Sequence, residues 1–164
     1  MDLEATVRDL APRVLRYAHV LTGDRTLAEE TAQEALTALV QRWRAQGPPD
    51  SPEAFVFSIA RRRAGRAVVR RKLWLPIDAL LGARDGHPTP EERLLASSER
   101  ARMLTCLARL PRRDREALLM VAVGCLSTRD AAEALGISVS ALKMRTLRAR
   151  QRLRVLLEAP HERR

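Results

Sequence analysis

The side chains that could do chemistry in this sequence are its arginines. Arg61, Arg62, Arg63, Arg66, Arg70, Arg71 and Lys72 fall in one short stretch without an acidic residue, and Lys143, Arg145, Arg148, Arg150, Arg152 and Arg154 fall in a second. A guanidinium stays charged at physiological pH and presents its donors as a planar fork, which suits phosphate oxygens and the exposed edge of guanine. Catalytic groups are not gathered in this way. His19, His87 and His161 are scattered, Cys106 and Cys125 are too few to complete a tetrahedral zinc site, and no nucleophile or phosphate loop stands out. No enzymatic activity, metal or cofactor is expected, and both cysteines are expected to be small buried hydrophobes.

The net charge of +10 is laid out unevenly: −3 over residues 1–60, +7 over 61–75, zero over 76–110 and +6 over 111–164. Two basic blocks around a neutral middle fit a polyanion contacted at two places, whereas a surface charged only for solubility would intersperse the signs. Aromatic residues are 3% of the chain, so few bases can be stacked. No apolar run approaches the length that crosses a bilayer, and the start Met1, Asp2, Leu3, Glu4 lacks the layout of a secretory signal. The expected location is the cytoplasm.

Helices must position both clusters, because helix signals recur along the chain and no segment alternates with period two. The expected fold is all-α, two small helical domains joined by a linker. A first amphipathic stretch, Leu3 to Leu21, stops at Gly23, with Pro12 placed to begin a new helix within it. Thr26 and Glu29 form a capping box for a helix to about Ala45. After Gly47-Pro48-Pro49-Asp50, Ser51 caps a third helix running to about Lys72. Residues 73–89 lose the helical period and contain Pro76, Gly82, Gly86 and Pro88, which marks the linker between a domain over 1–72 and one over 90–158, with a tail at 159–164. The second domain begins at a Thr89-Pro90-Glu92 cap and continues through Arg113–Val123, a short helix from Ser127 and a last helix from Ser138.

Ser127 to Arg150 has the layout of a helix-turn-helix. Ser127 and Asp130 cap a helix that ends at Leu135, Gly136 permits the tight turn, Ile137 plugs back into the core, and Ser138 caps the next helix. At 3.6 residues per turn Val139, Leu142, Thr146, Ala149, Leu153 and Leu156 form the inward stripe. Ser140, Met144, Leu147 and Arg148 lie opposite, between a basic border of Lys143, Arg150 and Arg154 and another of Arg145 and Arg152. Exposed Met144 and Leu147 suit thymine methyl groups, with arginines on phosphates or guanines, so Ser138, Ser140, Lys143, Met144, Leu147, Arg148 and Arg150 are the expected contacts to duplex DNA.

In the first half, Arg62, Arg66 and Arg70 stand one turn apart as a positive ridge, opposite Phe55, Ile59, Ala60, Ala64 and Ala67; with Arg61 and Arg71 they suit phosphate tracking. Glu30, Gln33 and Glu34 share one face of the preceding helix, an acidic patch suited to a basic protein partner, while Leu27, Leu36, Leu39 and Val40 serve the core.

The order of these parts resembles the extracytoplasmic-function class of bacterial sigma factors over essentially the whole chain. LTGDRTLAEETAQEAL is similar to the segment by which that family grips the clamp helices of the largest RNA polymerase subunit, which implies Glu30, Gln33 and Glu34 as polymerase contacts. SPEAFVFSIARRRAGRAVVRRK resembles the helix that captures and melts the minus-ten element, and LPRRDREALLMVAVGCLSTRDAAEALGISVSALKMRTLRARQRL resembles the minus-thirty-five reader. The resemblance implies a factor that binds core polymerase, including its flap, and directs it to promoters. It also implies a linker threaded toward the RNA exit path and an anti-sigma protein as a further partner. Members of the family usually carry tryptophan at the place of Phe55, asparagine at Arg62 and an acidic or amide residue at Arg66, which leaves Phe55, Phe57 and Trp74 for base stacking. Two other readings stay open: a free-standing regulator that uses the helix-turn-helix without polymerase, and a sigma-like protein that binds DNA or polymerase without melting promoters.

Overall fold

The computed structural model describes residues 2–72 and 90–159, with side chains described over 2–66 and 98–159. Its elements are α1 (Leu3–Thr22), α2 (Arg25–Gln46), α3 (Pro52–Lys72), α4 (Pro90–Arg109), α5 (Arg112–Ala122), α6 (Thr128–Leu135) and α7 (Val139–Glu158). Every element is helical, as the absence of a period-two pattern predicts. The expected linker, residues 73–89, and Trp74 within it lie outside the described residues.

Helices α1, α2 and α3 pack against one another in the N-terminal unit. Leu10, Val14 and Tyr17 of α1 meet Leu39 of α2 and Val56 and Phe57 of α3, while Ala32, Ala35, Ala54 and Ala60 keep the helices close. Helix α1 runs unbroken through Pro12, so this proline does not open a new helix. Pro12 is on the exposed side, where the carbonyl that loses its partner can be hydrated, and burial of Leu10 and Val14 on either side holds the two turns in line. Gly23, with φ 64°, supplies the left-handed turn that ends α1. That turn leaves Asp24 extended, and its carboxylate accepts from the Leu27 amide at 2.9 Å. Asp24 rather than Thr26 therefore caps α2.

The C-terminal unit is built on α7, which packs against α4, α5 and α6. The helix-turn-helix forms as its sequence signals predict. Ser127 accepts from the Asp130 amide, Gly136 adopts φ 64°, and Ser138 accepts from the Ala141 amide at 3.1 Å. Ile137 packs on the core from a partly buried position. On α7 only Leu142 and Ala149 are fully buried; Val139, expected on the inward stripe, is 40% exposed in the first turn of the helix. Cys106 is buried, whereas Cys125 is exposed in the turn before α6 at φ 53° and does not serve as a core hydrophobe.

The two units share one continuous core, which the sequence did not announce. Helix α3 packs against α6, and Phe57 lies so close to Gly124 that a Cβ there would come within 2.5 Å of its ring. Arg13 of α1 donates to the carbonyl oxygens of Gly124 at 3.1 Å and Cys125 at 3.2 Å. The Ser51 hydroxyl donates to Asp130 at 2.8 Å and accepts from the Ala54 amide at 3.0 Å, so the cap of α3 also ties it to α6. No helix among the described residues is long and apolar enough to cross a membrane.

Candidate nucleic-acid interface

Helix α7 presents one face away from the bundle. Ser138, Ser140, Lys143, Met144, Leu147, Arg148 and Arg150 are all exposed, so every residue expected to meet duplex DNA stands on the open side. Met144 is 52% and Leu147 49% exposed, and with Val139 they place three of the six exposed large hydrophobic residues among the described residues on the N-terminal half of this helix. Leaving so much apolar area in water on a short stretch is unfavourable unless a partner covers it. The cations beside it could supply phosphate contacts while the apolar side chains meet base methyl groups.

Arg148 is not an unencumbered cation. Its guanidinium lies 3.4 Å from Oδ1 of Asp114, and Arg152 lies 3.0 Å from Oδ2 of the same carboxylate. Asp114 is buried in the first turn of α5. Asp114 was not singled out in the sequence, where it looks like any acidic residue near a helix start, and Arg152 was read there only as part of the basic border of α7.

Helix α3 is engaged on two sides. Arg62 and Arg66 are exposed, as a ridge along DNA requires. Arg61, expected on the same ridge, is instead turned toward the C-terminal unit, 3.4 Å from Glu116, and its side chain is 26% exposed. Glu116 is also held by Arg112 at 2.7 Å. The run of arginines did not separate Arg61 from Arg62, because what covers a helix face depends on residues distant in sequence. The side chains of Arg70 and Arg71 lie outside the described residues. Phe57, expected among the stacking aromatics, is fully buried with its ring centroid 5.2 Å from that of Tyr17; Phe55 is partly buried against the core.

Beside this contact the Tyr17 hydroxyl and the Arg61 Nε are buried without a hydrogen-bond partner. Burial first, and the negative charge of Glu116 second, push the Tyr17 hydroxyl far above its ordinary pKa, so it stays protonated. Burial likewise lowers the pKa of Arg115, against the opposing pull of Glu116.

Glu30, Gln33 and Glu34 are exposed along α2, as a docking face requires. Glu34 also pairs with Arg63 of α3 at 2.9 Å. Next to them a groove of about 470 Å³ runs between α1 and α2, lined by Ala11, Leu15, Ala32, Leu36 and Val40, with Glu29 and Gln33 at its edge.

Comparison with known proteins gives this arrangement its family. Residues 6–73 match Sigma-70 region 2, and residues 100–153 match Sigma-70 region 4. The chain is 38% identical over 168 aligned positions to the ECF RNA polymerase sigma factor ShbA of Streptomyces griseus, covering 96% of this chain and 86% of that protein. It belongs to the extracytoplasmic-function sigma factors. Its work is therefore RNA polymerase binding and promoter recognition, with the helix-turn-helix as region 4. The ECF RNA polymerase sigma factor SigD of Mycobacterium tuberculosis is 31% identical over 162 positions, 93% of this sigma factor and 75% of that one. Among solved structures the fold is similar to CnrH in complex with the cytosolic domain of CnrY, with a TM-score of 0.71 at 23% identity, covering 97% of this chain and 89% of that one. It is also similar to the sigma factor RpoE in complex with the anti-sigma factor NepR from Bartonella quintana, with a TM-score of 0.67 at 22% identity, covering 96% and 98%.

Proposed function

We propose that this sigma factor recognises promoters in two parts, with α7 reading duplex DNA upstream, α3 following the strand-separation site and α2 holding the polymerase. Ser140, Met144 and Leu147 read the upstream element, while Lys143, Arg148 and Arg150 grip the phosphates beside it; Ser138 caps the helix and can meet the nearest phosphate. Arg62 and Arg66, with Arg70 and Arg71, follow the minus-ten region, and Arg61 joins them only when its contact with Glu116 opens. Glu30, Gln33 and Glu34 dock on the clamp helices of the largest subunit, and the flap meets the C-terminal unit. The reading is carried by the exposed apolar and cationic face of α7, which nothing in the chain covers among the described residues.

Two weak readers on one polymerase give a specific complex, because tethering makes the second contact intramolecular. The sigma factor acts in the cytoplasm, catalyses nothing itself and is open to restraint by an anti-sigma protein. Promoter binding measured with and without core polymerase tests the assignment. Tight, sequence-dependent binding should require core; equal affinity for the promoter without core would instead identify a free-standing regulator.

One observation favours a second reading, in which the protein binds without opening DNA. Phe57 is buried against Tyr17, so Phe55, itself partly buried, is the remaining aromatic ring on α3 among the described side chains. Permanganate probing of the reconstituted complex separates the two: unpaired thymines near minus ten mark an initiating factor, and their absence marks the alternative.

A further inference from the structure

The turn that delivers α7 to DNA does not by itself fix how α7 is rotated about its axis. Leu142 and Ala149 are the fully buried residues of this helix, and Leu153 and Leu156 pack on the core only in its C-terminal half, so Leu142 is the one fully buried large side chain in the half that faces DNA. A second restraint is polar. Asp114 is 5% exposed, and its two carboxylate oxygens are divided between Arg148 at 3.4 Å and Arg152 at 3.0 Å, two arginines one turn apart on α7 that would otherwise repel each other. The two guanidinium side chains are 48% and 52% exposed, so each keeps donors on its solvent side while its inner edge is held. The carboxylate sits in the first turn of α5, where the positive end of the helix favours it.

We propose that Asp114 is a positioning residue of the upstream DNA reader: its buried carboxylate, shared by Arg148 and Arg152, sets the rotation of α7 and thereby the direction in which Ser140, Met144 and Leu147 face the bases. A helix with its side chains has a radius of about 5–6 Å, so a turn of roughly 15° carries a side chain about 1.5 Å sideways. That exceeds the tolerance of about 0.5 Å within which a recognition constellation has to be held. Arg148 then acts as a relay, with one edge on Asp114 and its free donors on a phosphate.

The inference rests on α7 being the upstream reader. It also makes a prediction whose sign differs from simple electrostatics. Removing a negative charge beside a DNA-binding face should, by Coulomb attraction alone, tighten binding to any DNA. Loss of a positioning group should reduce the preference for the correct sequence.

The test uses holoenzyme and measures the affinity ratio between a promoter and the same promoter with a scrambled upstream element. Asp114→Asn should lower that ratio about tenfold, in the range of coupled contacts, with core-enzyme binding unchanged. Asp114→Glu should recover most of it, and Asp114→Asn should add little in an Arg148→Ala background. Arg152→Gln removes one tie while Arg148 keeps the carboxylate paired; it should lower the ratio about threefold, and it decides the matter should Asp114→Asn fail to fold. A wild-type ratio in Asp114→Asn, or tighter binding to both DNAs without loss of preference, would overturn the inference, as would a wild-type ratio in Arg152→Gln should Asp114→Asn not fold. Leu147→Ala separates the two levels. If it lowers the ratio while Asp114→Asn does not, α7 reads DNA without help from Asp114; if Leu147→Ala has no effect either, the assignment of α7 fails and the positioning role fails with it.

Discussion

Helices α3 and α7 are both rich in arginine and both lie in promoter-reading regions, yet they are buried in opposite ways. Helix α3 packs on α1 and α2 along one side and on α6 along another, and it gives up Phe57 to the core and Arg61 to Glu116. Helix α7 buries Leu142 and Ala149 and leaves Met144 and Leu147 in the open. A shared richness in arginine thus goes with a helix that is half scaffold and a helix that is mostly surface. A charge run identifies a candidate polyanion-binding helix, but neighbours distant in the chain decide how many of its charges are available.

The sharpest way to break this contrast is to truncate one large side chain on each helix. Phe57→Ala should cost about 3–5 kcal/mol of stability in chemical denaturation, whereas Leu147→Ala should stay within about 0.5 kcal/mol. Equal losses would mean that the two helices are buried alike. Glu116→Ala tests the contact between units, because it strands the half-buried Arg61 guanidinium. A loss of about 1–3 kcal/mol is expected by the same measurement, together with greater separation of fluorophores on α3 and α6.

Glu34→Lys probes the exposed side of the N-terminal unit. Core-polymerase affinity should fall by about 1–3 kcal/mol, while stability changes by less than about 1 kcal/mol, since the pair with Arg63 is half exposed on both sides. Unchanged pull-down affinity would remove the docking role of this face. The smallest effect is expected at the buried hydroxyl without a partner. Tyr17→Phe should leave stability unchanged or raise it by up to about 1 kcal/mol, and a marked loss would show that the hydroxyl has a partner.

What could be read from the sequence follows the range of the interactions. The helix-turn-helix was legible because its determinants are local: Ser127, Gly136 and Ser138 act within three or four residues of themselves, and they cap and turn as expected. The exposed residues of α7 were legible because one stripe of a helix must face inward. Pro12 and Thr26 were placed wrongly because tertiary burial and the Gly23 turn overrode a local signal. Arg13, Ser51, Asp114 and Glu116 were not legible as contacts. Each looks like an ordinary surface or capping residue until the fold brings it to a partner on another helix; for Arg13 and Cys125 the two lie 112 positions apart. The carboxylate that ties down Arg148 is 34 residues away from it, so no window along the chain contains both.

Hydroxyl-radical footprinting of the holoenzyme on promoter DNA, with variants of each helix, decides whether two helices read two separate promoter elements on one polymerase. Two separated protected patches are expected. Leu147→Ala with Met144→Ala should erase the upstream one alone, and Arg62→Ala with Arg66→Ala should weaken the downstream one alone. A footprint in which the α7 variant leaves the upstream patch intact, or in which either variant removes both patches together, would contradict this division between the helices.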